Sequence, residues 1–216
     1  MPDWQLETYI ACLSIHNPEE DKRGRLSMWR SYGDTALVIN NTPMITVTDL
    51  LKVYSTPVLY MSVEGLTKYL SEITDAILDN REYLEGLGQE TLKYYIHHML
   101  LRLAVAIKHP GFKEEKEWRL YYRPNDGISP CMTEKTVVLS GVPQNIFKLR
   151  LANEPGNGLH GADMSSLLDR IIIGPTEFPY VKYKAFVSEL EGLGVEDADE
   201  KVVVSNIPLR SGVKCK

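Results

Sequence analysis

The sequence predicts an α+β fold, and three patterns predict it. Short apolar or alternating segments, typical of strands, occupy both ends of the chain. Between them, residues 64–108 carry apolar side chains at helical spacing. Near the C-terminus, a strand, a helix and a strand follow one another at the spacing of a right-handed crossover between parallel strands. We therefore expect a mixed, mainly antiparallel sheet with an inserted helical hairpin and a C-terminal strand-helix-strand unit.

The N-terminal part reads as a series of short elements. Residues 9–15 predict a strand, residues 16–25 a loop and residues 26–32 a helical turn. Residues 36–40 and 44–48 flank the turn signal Asn-Asn-Thr-Pro, so they predict a hairpin. A third short strand is expected over residues 57–62.

Residues 64–108 predict two antiparallel helices, because two apolar stripes are separated by a short link that contains Gly86 and Gly88. The first stripe comprises Leu66, Tyr69, Leu70, Ile73, Ile77 and Leu84. The second comprises Leu92, Tyr95, Ile96, Met99, Leu103, Ala106 and Ile107.

The C-terminal part returns to strands, expected over residues 117–122, 136–140, 146–151, 170–174 and 202–205. A helix is expected over residues 179–190, with its buried side formed by Val181, Tyr183, Phe186, Val187 and Leu190. We expect a single domain over residues 1–210 and a mobile tail over 211–216.

The composition narrows the classes of function. Lys and Arg number 24 against 29 Asp and Glu, which gives a net charge of −5 and disfavours a general nucleic-acid partner. No apolar stretch reaches the length of a membrane span. Three cysteines far apart in sequence, and first residues that lack a secretory pattern, predict a cytoplasmic protein without a metal knuckle.

The densest chemistry lies in residues 112–123. In a strand that starts at Glu115, the side chains of Glu115, Glu117, Arg119 and Tyr121 share one face, while Trp118, Leu120 and Tyr122 form the other, which we expect to be buried. A carboxylate beside an arginine is suited to bind a hydroxyl or a phosphate. The alternative is a surface ladder of ion pairs beside a tryptophan in the core.

Trp29 and Tyr32 fall at helical spacing in the segment over residues 26–33. These large rings with polar tips could form an aromatic wall for a planar ligand. The alternative is a short helix that plugs one end of the core.

Two motifs carry a resemblance to a known family. Met-Trp-x-x-Tyr-Gly over residues 28–33 and Glu-x-Glu-Trp-Arg over residues 115–119 follow Ser14 in order, and Ile-Ile-Ile-Gly-Pro and Val-Ser-Asn-Ile-Pro-Leu-Arg come after them. Over residues 9–210 the chain resembles a widespread bacterial domain family of unknown function. That family is suspected of a remote relationship to ADP-ribosyltransferases, and some members lie near phage-defence genes.

The resemblance implies a site that binds NAD as cofactor. Glu117 would be the catalytic carboxylate that holds a ribose hydroxyl, with Glu115 and Arg119 beside it. Ser14 matches the supporting serine. The aromatic wall of Trp29 and Tyr32, expected from their ring chemistry and not from the resemblance, would contact the substrate. The family's first motif, a His or Arg on an early strand, has no counterpart here, so the domain is expected to be truncated or degenerate.

Two other functions stay open at this point. A non-enzymatic interaction module could form a homodimer through an open sheet edge. A nuclease would need a metal held by Glu114, Glu115 and Glu117, but a pleated strand places only two of these on one face. We expect no metal site.

Overall fold

The computed structural model describes residues 7–45 and 48–208, and over these residues the fold class is α+β, as the sequence predicts. The described strands form four small sheets, whereas one sheet was expected. The chain divides into two compact units, which are described separately. Of the described residues, unit one holds 7–9, 16–45, 48–53 and 122–208, and unit two holds 10–15 and 54–121. The single domain over residues 1–210 stays a prediction, and the tail over 211–216 lies outside the described residues.

The described strands are β1 Tyr9–Ser14, β2 Thr35–Ile39, β3 Val53–Pro57, β4 Leu59–Tyr60, β5 Ile107–Lys108, β6 Glu117–Tyr122, β7 Met132–Leu139, β8 Val142–Leu149, β9 Leu168–Ile173 and β10 Val202–Val204. The described α-helices are α1 Leu26–Tyr32, α2 Thr42–Ile45, α3 Val63–Asp79, α4 Arg81–Gly86, α5 Gln89–Ala106, α6 Met164–Leu167 and α7 Pro179–Gly192. Short 3-10 helices cover Pro18–Glu20, Pro110–Glu115, Pro124–Asp126 and Pro155–Asn157.

The core of unit one lies around the C-terminal strand-helix-strand unit. Strand β9 pairs in parallel with β10, which confirms the expected pairing, and antiparallel with β2. Helix α7 covers this sheet with Leu190, Tyr183, Phe186 and Val187, as its periodicity predicts. Val181 was expected on the same side but is 67% exposed. The buried side of α7 is therefore narrower than the apolar pattern indicates.

The hairpin expected over residues 36–48 is wrong. Strand β2 pairs with the distant β9, and α2 occupies part of the segment that was expected to return as a strand. A proline is well accommodated in the first turn of a helix, where Pro43 lies, and this favours the helical turn. Residues 46 and 47 of the expected strand lie outside the described residues. The hairpin β7–β8 forms instead, and Ser140 and Gly141 at its turn both have positive φ.

Unit two combines a three-stranded sheet in the order β1-β6-β3, a parallel pair β4-β5 and three helices. The first expected helix is interrupted at Asn80, so that it forms α3 and α4. On α5 the buried residues are Leu101, Val105 and Ala106, and of these only Ala106 belongs to the expected stripe. Leu101 and Val105 pack with Tyr121 of β6. The strand expected over residues 57–62 is reduced to the short β4.

Across residues 7–45 and 48–208, none of the helices is both long enough and apolar enough to span a membrane.

Candidate functional site

Glu117 begins strand β6 in unit two, and its carboxylate is enclosed by two cations. Its side chain is 5% exposed. The Lys108 Nζ atom donates to Glu117 Oε2 at 2.6 Å, and the Arg119 Nε atom donates to Glu117 Oε1 at 2.7 Å. Because a buried carboxylate is costly without partners, both ion pairs are needed to keep it inside the unit. Each carboxylate oxygen is thus already bound to a side chain of this chain.

Both faces of β6 carry buried residues, although one open face was expected. On the face expected to be buried, Tyr122 is buried and Trp118 and Leu120 are half-buried. On the other face, Glu117 and Tyr121 are buried as well. The expected separation of faces failed because Lys108 and Arg119 neutralise the carboxylate, so a charged residue can occupy an interior position.

Glu115, Glu117, Lys108 and Arg119 together form what we name the acidic cluster. Glu115 contacts it from outside the strand. It ends the 3-10 helix Pro110–Glu115, and Lys116 after it has a left-handed φ of 45°. The strand starts at Glu117, as the periodicity over residues 117–122 predicts, and Glu115 lies before it, so the alternation of faces does not extend to Glu115. The turn brings the Glu115 carboxylate onto the Lys108 ammonium, so that one lysine bridges both glutamates.

Ser14 supports the backbone of this turn. Its hydroxyl donates to the backbone carbonyl of Glu115 at 2.7 Å. The expected closeness of Ser14 to the acidic segment is therefore present, but the contact described here is to a main-chain oxygen.

Arg119 joins β6 to the end of helix α5. Besides Glu117, its guanidinium donates to the backbone carbonyls of Val105 and, at 3.5 Å, Ile107. Carbonyls at a helix C-terminus lack partners within the helix, and a guanidinium is a suitable donor for them. Backbone contacts fix Glu117 further, because its N–H donates to the Tyr60 hydroxyl at 2.7 Å and its carbonyl accepts from Val58 N–H at 3.1 Å.

The electrostatics hold Glu117 and Lys108 in their charged forms. Burial raises the pKa of the Glu117 carboxyl, but hydrogen bonds with Arg119, Cys12 and Lys108 outweigh burial and lower that pKa to about 2. Burial alone would lower the pKa of Lys108, yet its hydrogen bonds to Glu115 and Glu117 raise that pKa above the ordinary value. A carboxyl this acidic is a weak proton acceptor at neutral pH.

Cys12 on β1 is close enough to hydrogen-bond the Glu117 carboxylate. Burial, followed by that hydrogen bond and the charge of Glu117, raises the pKa of the Cys12 thiol. A thiol becomes a nucleophile when its pKa falls. The structure therefore gives Cys12 no activation.

Trp29 and Tyr32 lie on α1 in unit one, so the structure does not place them in the same unit as the acidic cluster. The Trp29 indole N–H donates to the Arg23 carbonyl at 2.9 Å. A Cβ on Gly24 would lie 2.2 Å from this indole and a Cβ on Gly174 would lie 2.7 Å from it, so the ring packs against two glycine backbones. This contact favours the core plug over the aromatic wall for Trp29, while Tyr32 is 65% exposed.

A second feature of unit two is a cavity of about 470 Å³ that we name the tyrosine cavity. Its lining comes from one face each of α3, α5, β3 and β6, together with Leu59. The described residues that line it are Tyr54, Thr56, Leu59, Tyr69, Ile73, Tyr94, Tyr95, His98, Met99, Arg102, Leu103, Ala106 and Tyr121. The volume falls within the usual range of roughly 300–1,000 Å³ for small-molecule sites.

The acidic cluster and the tyrosine cavity share two elements. Tyr121 follows Arg119 by two residues on β6, and its ring stacks on Tyr54 with centroids 5.2 Å apart. Val105, whose carbonyl Arg119 binds, packs against Tyr121 in the core of unit two. The cluster therefore fixes β6 to α5, and these two elements carry eight of the thirteen described lining residues.

Sequence reasoning missed Lys108 and most of the cavity. Lys108 carries no motif, and it meets Glu117 only because of the turn between them. Tyr95, Met99, Leu103 and Ala106 were assigned to a packed stripe, and spacing cannot distinguish a filled stripe from one that borders a cavity. Among the described residues, no three His, Cys, Asp or Glu side chains lie together in a way that could hold a metal ion.

The comparisons with known proteins add one match. The family model described as a protein of unknown function (DUF2971) matches residues 28–120, which is less than half of the chain. Both sequence motifs lie inside the matched residues, as do the lysine and the two glutamates of the cluster. Searches of curated proteins and of solved structures found no match. The chain is therefore similar, over this segment, to an uncharacterised domain family.

Proposed function

We propose that this chain is a small-molecule binding protein, and that its tyrosine cavity takes a ligand with a planar heteroaromatic ring of the purine or nicotinamide type. The observation that carries the proposal is the set of five tyrosines around one cavity, Tyr54, Tyr69, Tyr94, Tyr95 and Tyr121. Tyrosine rings stack on flat ligands, and their hydroxyls can donate to ring nitrogens or sugar hydroxyls.

The exposure of these rings supports a binding role. Tyr94 is 57% exposed and Tyr95 is 59% exposed, although both line the cavity. Large rings left open to water are favourable places for a flat ligand, because stacking removes apolar surface from solvent. The inner wall is more rigid, since Tyr121 is buried and stacked on Tyr54.

In this proposal the acidic cluster has a structural role. ADP-ribosyl transfer, which the family resemblance implied, needs a carboxylate oxygen that is free to hold a ribose hydroxyl. Both Glu117 oxygens already bind cations, and the side chain is 5% exposed. The geometry thus supports ligand binding better than transfer, and NAD remains the candidate ligand rather than a substrate.

The test combines a binding measurement with a product measurement. Adenosine and NAD are titrated into the protein by calorimetry, and release of nicotinamide from NAD is followed by chromatography. We expect saturable binding of at least one of the two and no release of nicotinamide above the uncatalysed rate. At a ligand concentration of 100 times Kd, the stability should rise by about 2.7 kcal/mol.

Two variants locate the binding. Tyr95→Ala removes a ring of the cavity, whereas Tyr83→Ala removes a ring that is 71% exposed on α4 and does not line it. Stacking is worth about 1–3 kcal/mol per ring, so Tyr95→Ala should weaken binding about fivefold or more while Tyr83→Ala leaves it unchanged. Absence of binding for both compounds at millimolar concentration would overturn the proposal. Release of nicotinamide that is lost in Glu117→Gln would favour transfer instead.

A further inference from the structure

We infer that the ligand of the tyrosine cavity carries an anionic group, a phosphate or a carboxylate, and that Arg102 binds it. This inference rests on the proposed binding role of the cavity. Among the thirteen described lining residues, Arg102 is the one with a permanent charge, and none is Asp or Glu. The chain as a whole carries a net charge of −5, so a cavity with a positive lining departs from its average surface.

The pairing of the arginines supports this choice. Carboxylates bind Arg25, Arg81, Arg119, Arg123, Arg150 and Arg170 at distances of 2.6–3.0 Å. Among the described residues, no such pair is found for Arg102, nor for Arg23 and Arg30, and of these three only Arg102 lines the cavity. Its five N–H donors form a planar fork that matches the oxygens of a phosphate or a carboxylate.

The position of Arg102 on α5 places the charge beside the aromatic rings. Tyr95, His98 and Arg102 follow one another at three- and four-residue spacing, so they lie on one side of the helix. The His98 ring lies 4.3 Å from the ring of Tyr94. A flat ring stacked on the tyrosines would therefore have a guanidinium one helical turn beyond His98.

These observations define a ligand class rather than one compound. The rings select a flat heteroaromatic group, and Arg102 selects an anion attached to it. A nucleoside monophosphate and an aromatic carboxylate such as nicotinate share this chemistry. Charge-assisted hydrogen bonds are about twice as strong as neutral ones, so the anionic member of a pair should bind more tightly.

The experiment compares two pairs of compounds that differ in charge. Calorimetry is performed with AMP against adenosine and with nicotinate against nicotinamide. We expect the anionic member of at least one pair to bind at least tenfold more tightly than the neutral member. A preference for AMP would identify the anionic group as a phosphate, and a preference for nicotinate would identify it as a carboxylate. This preference should decline as salt is raised, because the ion pair is screened.

Two charge-matched variants assign the effect. Arg102→Gln should abolish the preference for the anion and leave the affinity for the neutral compound unchanged. Arg81→Gln removes the same charge from an exposed arginine on α4 that pairs with Glu85, and it should change neither affinity. Equal loss in both variants would indicate a general effect of charge and overturn the inference. Equal affinities within both pairs would overturn it as well, while failure of all four compounds to bind would contradict the proposed function itself.

Discussion

The Lys108 ammonium lies 2.6 Å from Glu117 Oε2, and this ion pair joins the last residue of β5 to the first residue of β6. The Lys108 side chain is 20% exposed and that of Glu117 is 5% exposed, so water screens the pair weakly. Lys108 also lies 4.9 Å from the centroid of the Phe112 ring, within the range of a cation–π contact. One lysine thus stabilises the turn after β5 and the start of β6.

Replacement of Lys108 by methionine should destabilise the protein. The substitution leaves the buried Glu117 carboxylate with Arg119 as one of its two cations. Breaking a buried ion pair lowers the free energy of unfolding by about 3–5 kcal/mol. Urea unfolding followed by circular dichroism measures the loss. Lys93→Met is the matched control, because Lys93 pairs with Glu90 on the exposed side of α5 and such pairs are worth less than about 1 kcal/mol. Similar midpoints for the two variants would contradict the structural role of the cluster.

The stability of the protein should fall in acid through Glu117. Its folded pKa of about 2 lies below the ordinary value of 4.5, so the stabilisation is complete above about pH 4.5 and is lost as the pH falls toward 2. The difference corresponds to roughly 3 kcal/mol. A titration of the Glu117 carboxyl carbon by NMR measures the folded value directly. A midpoint near 4.5 would show that Lys108 and Arg119 do not hold the charge.

Lys108 should act at the opposite end of the pH scale. Its folded pKa is raised, so its stabilisation is present at neutral pH and is lost only as the pH rises through that folded value. Between pH 6 and 9, the free energy of unfolding should therefore have the same pH dependence in the unsubstituted protein and in Lys108→Met. If the free energy of unfolding changes with pH in this range, and the change is absent in Lys108→Met, then the glutamates do not raise the pKa of Lys108.

The packing of Trp29 predicts the effect of a single methyl group. A Cβ on the buried Gly174 would lie 2.7 Å from the indole, so Gly174→Ala should force Trp29 to move and cost about 1–3 kcal/mol. Gly86→Ala is the control, because no atom lies within 4 Å of its added Cβ and alanine favours a helix. The comparison is made by urea unfolding. Equal stability of the two variants would mean that Trp29 does not plug this part of unit one.

Periodicity predicted much of the fold because it reports on local geometry. The bounds of α1 and β6 match the expected residues 26–32 and 117–122, and β9, α7 and β10 follow the expected crossover. The hairpin over residues 36–48 failed because β2 takes a partner about 130 residues away, and five-residue segments carry little periodic signal. Pairing between distant strands depends on packing throughout the core, and a short sequence pattern carries no information about that packing.

The site was harder to predict than the fold. Alternation shows that Glu117 and Tyr121 share a face, but it does not show that a face with a charged residue is buried as well as the apolar one. The answer depends on Lys108, which reaches Glu117 through the left-handed turn at Lys116. A non-glycine residue with positive φ carries no clear sequence signal. The resemblance directed attention to Glu117, and the structure adds the two cations that enclose it.

Arg119 provides the test of the link between the cluster and the tyrosine cavity. Its guanidinium contacts Glu117 and the carbonyls of Val105 and Ile107, and an ammonium cannot reproduce this planar set of contacts. Arg119→Lys should therefore loosen the end of α5 while keeping the charge. Native-state hydrogen exchange should be faster at the Ile107 amide, which donates to the Leu103 carbonyl in the last turn. Exchange in Arg81→Lys, which alters an exposed pair on α4, should match the unsubstituted protein. Unchanged protection at Ile107 in Arg119→Lys would show that β6 and α5 stay together without the arginine, and the cluster would then have no part in shaping the cavity.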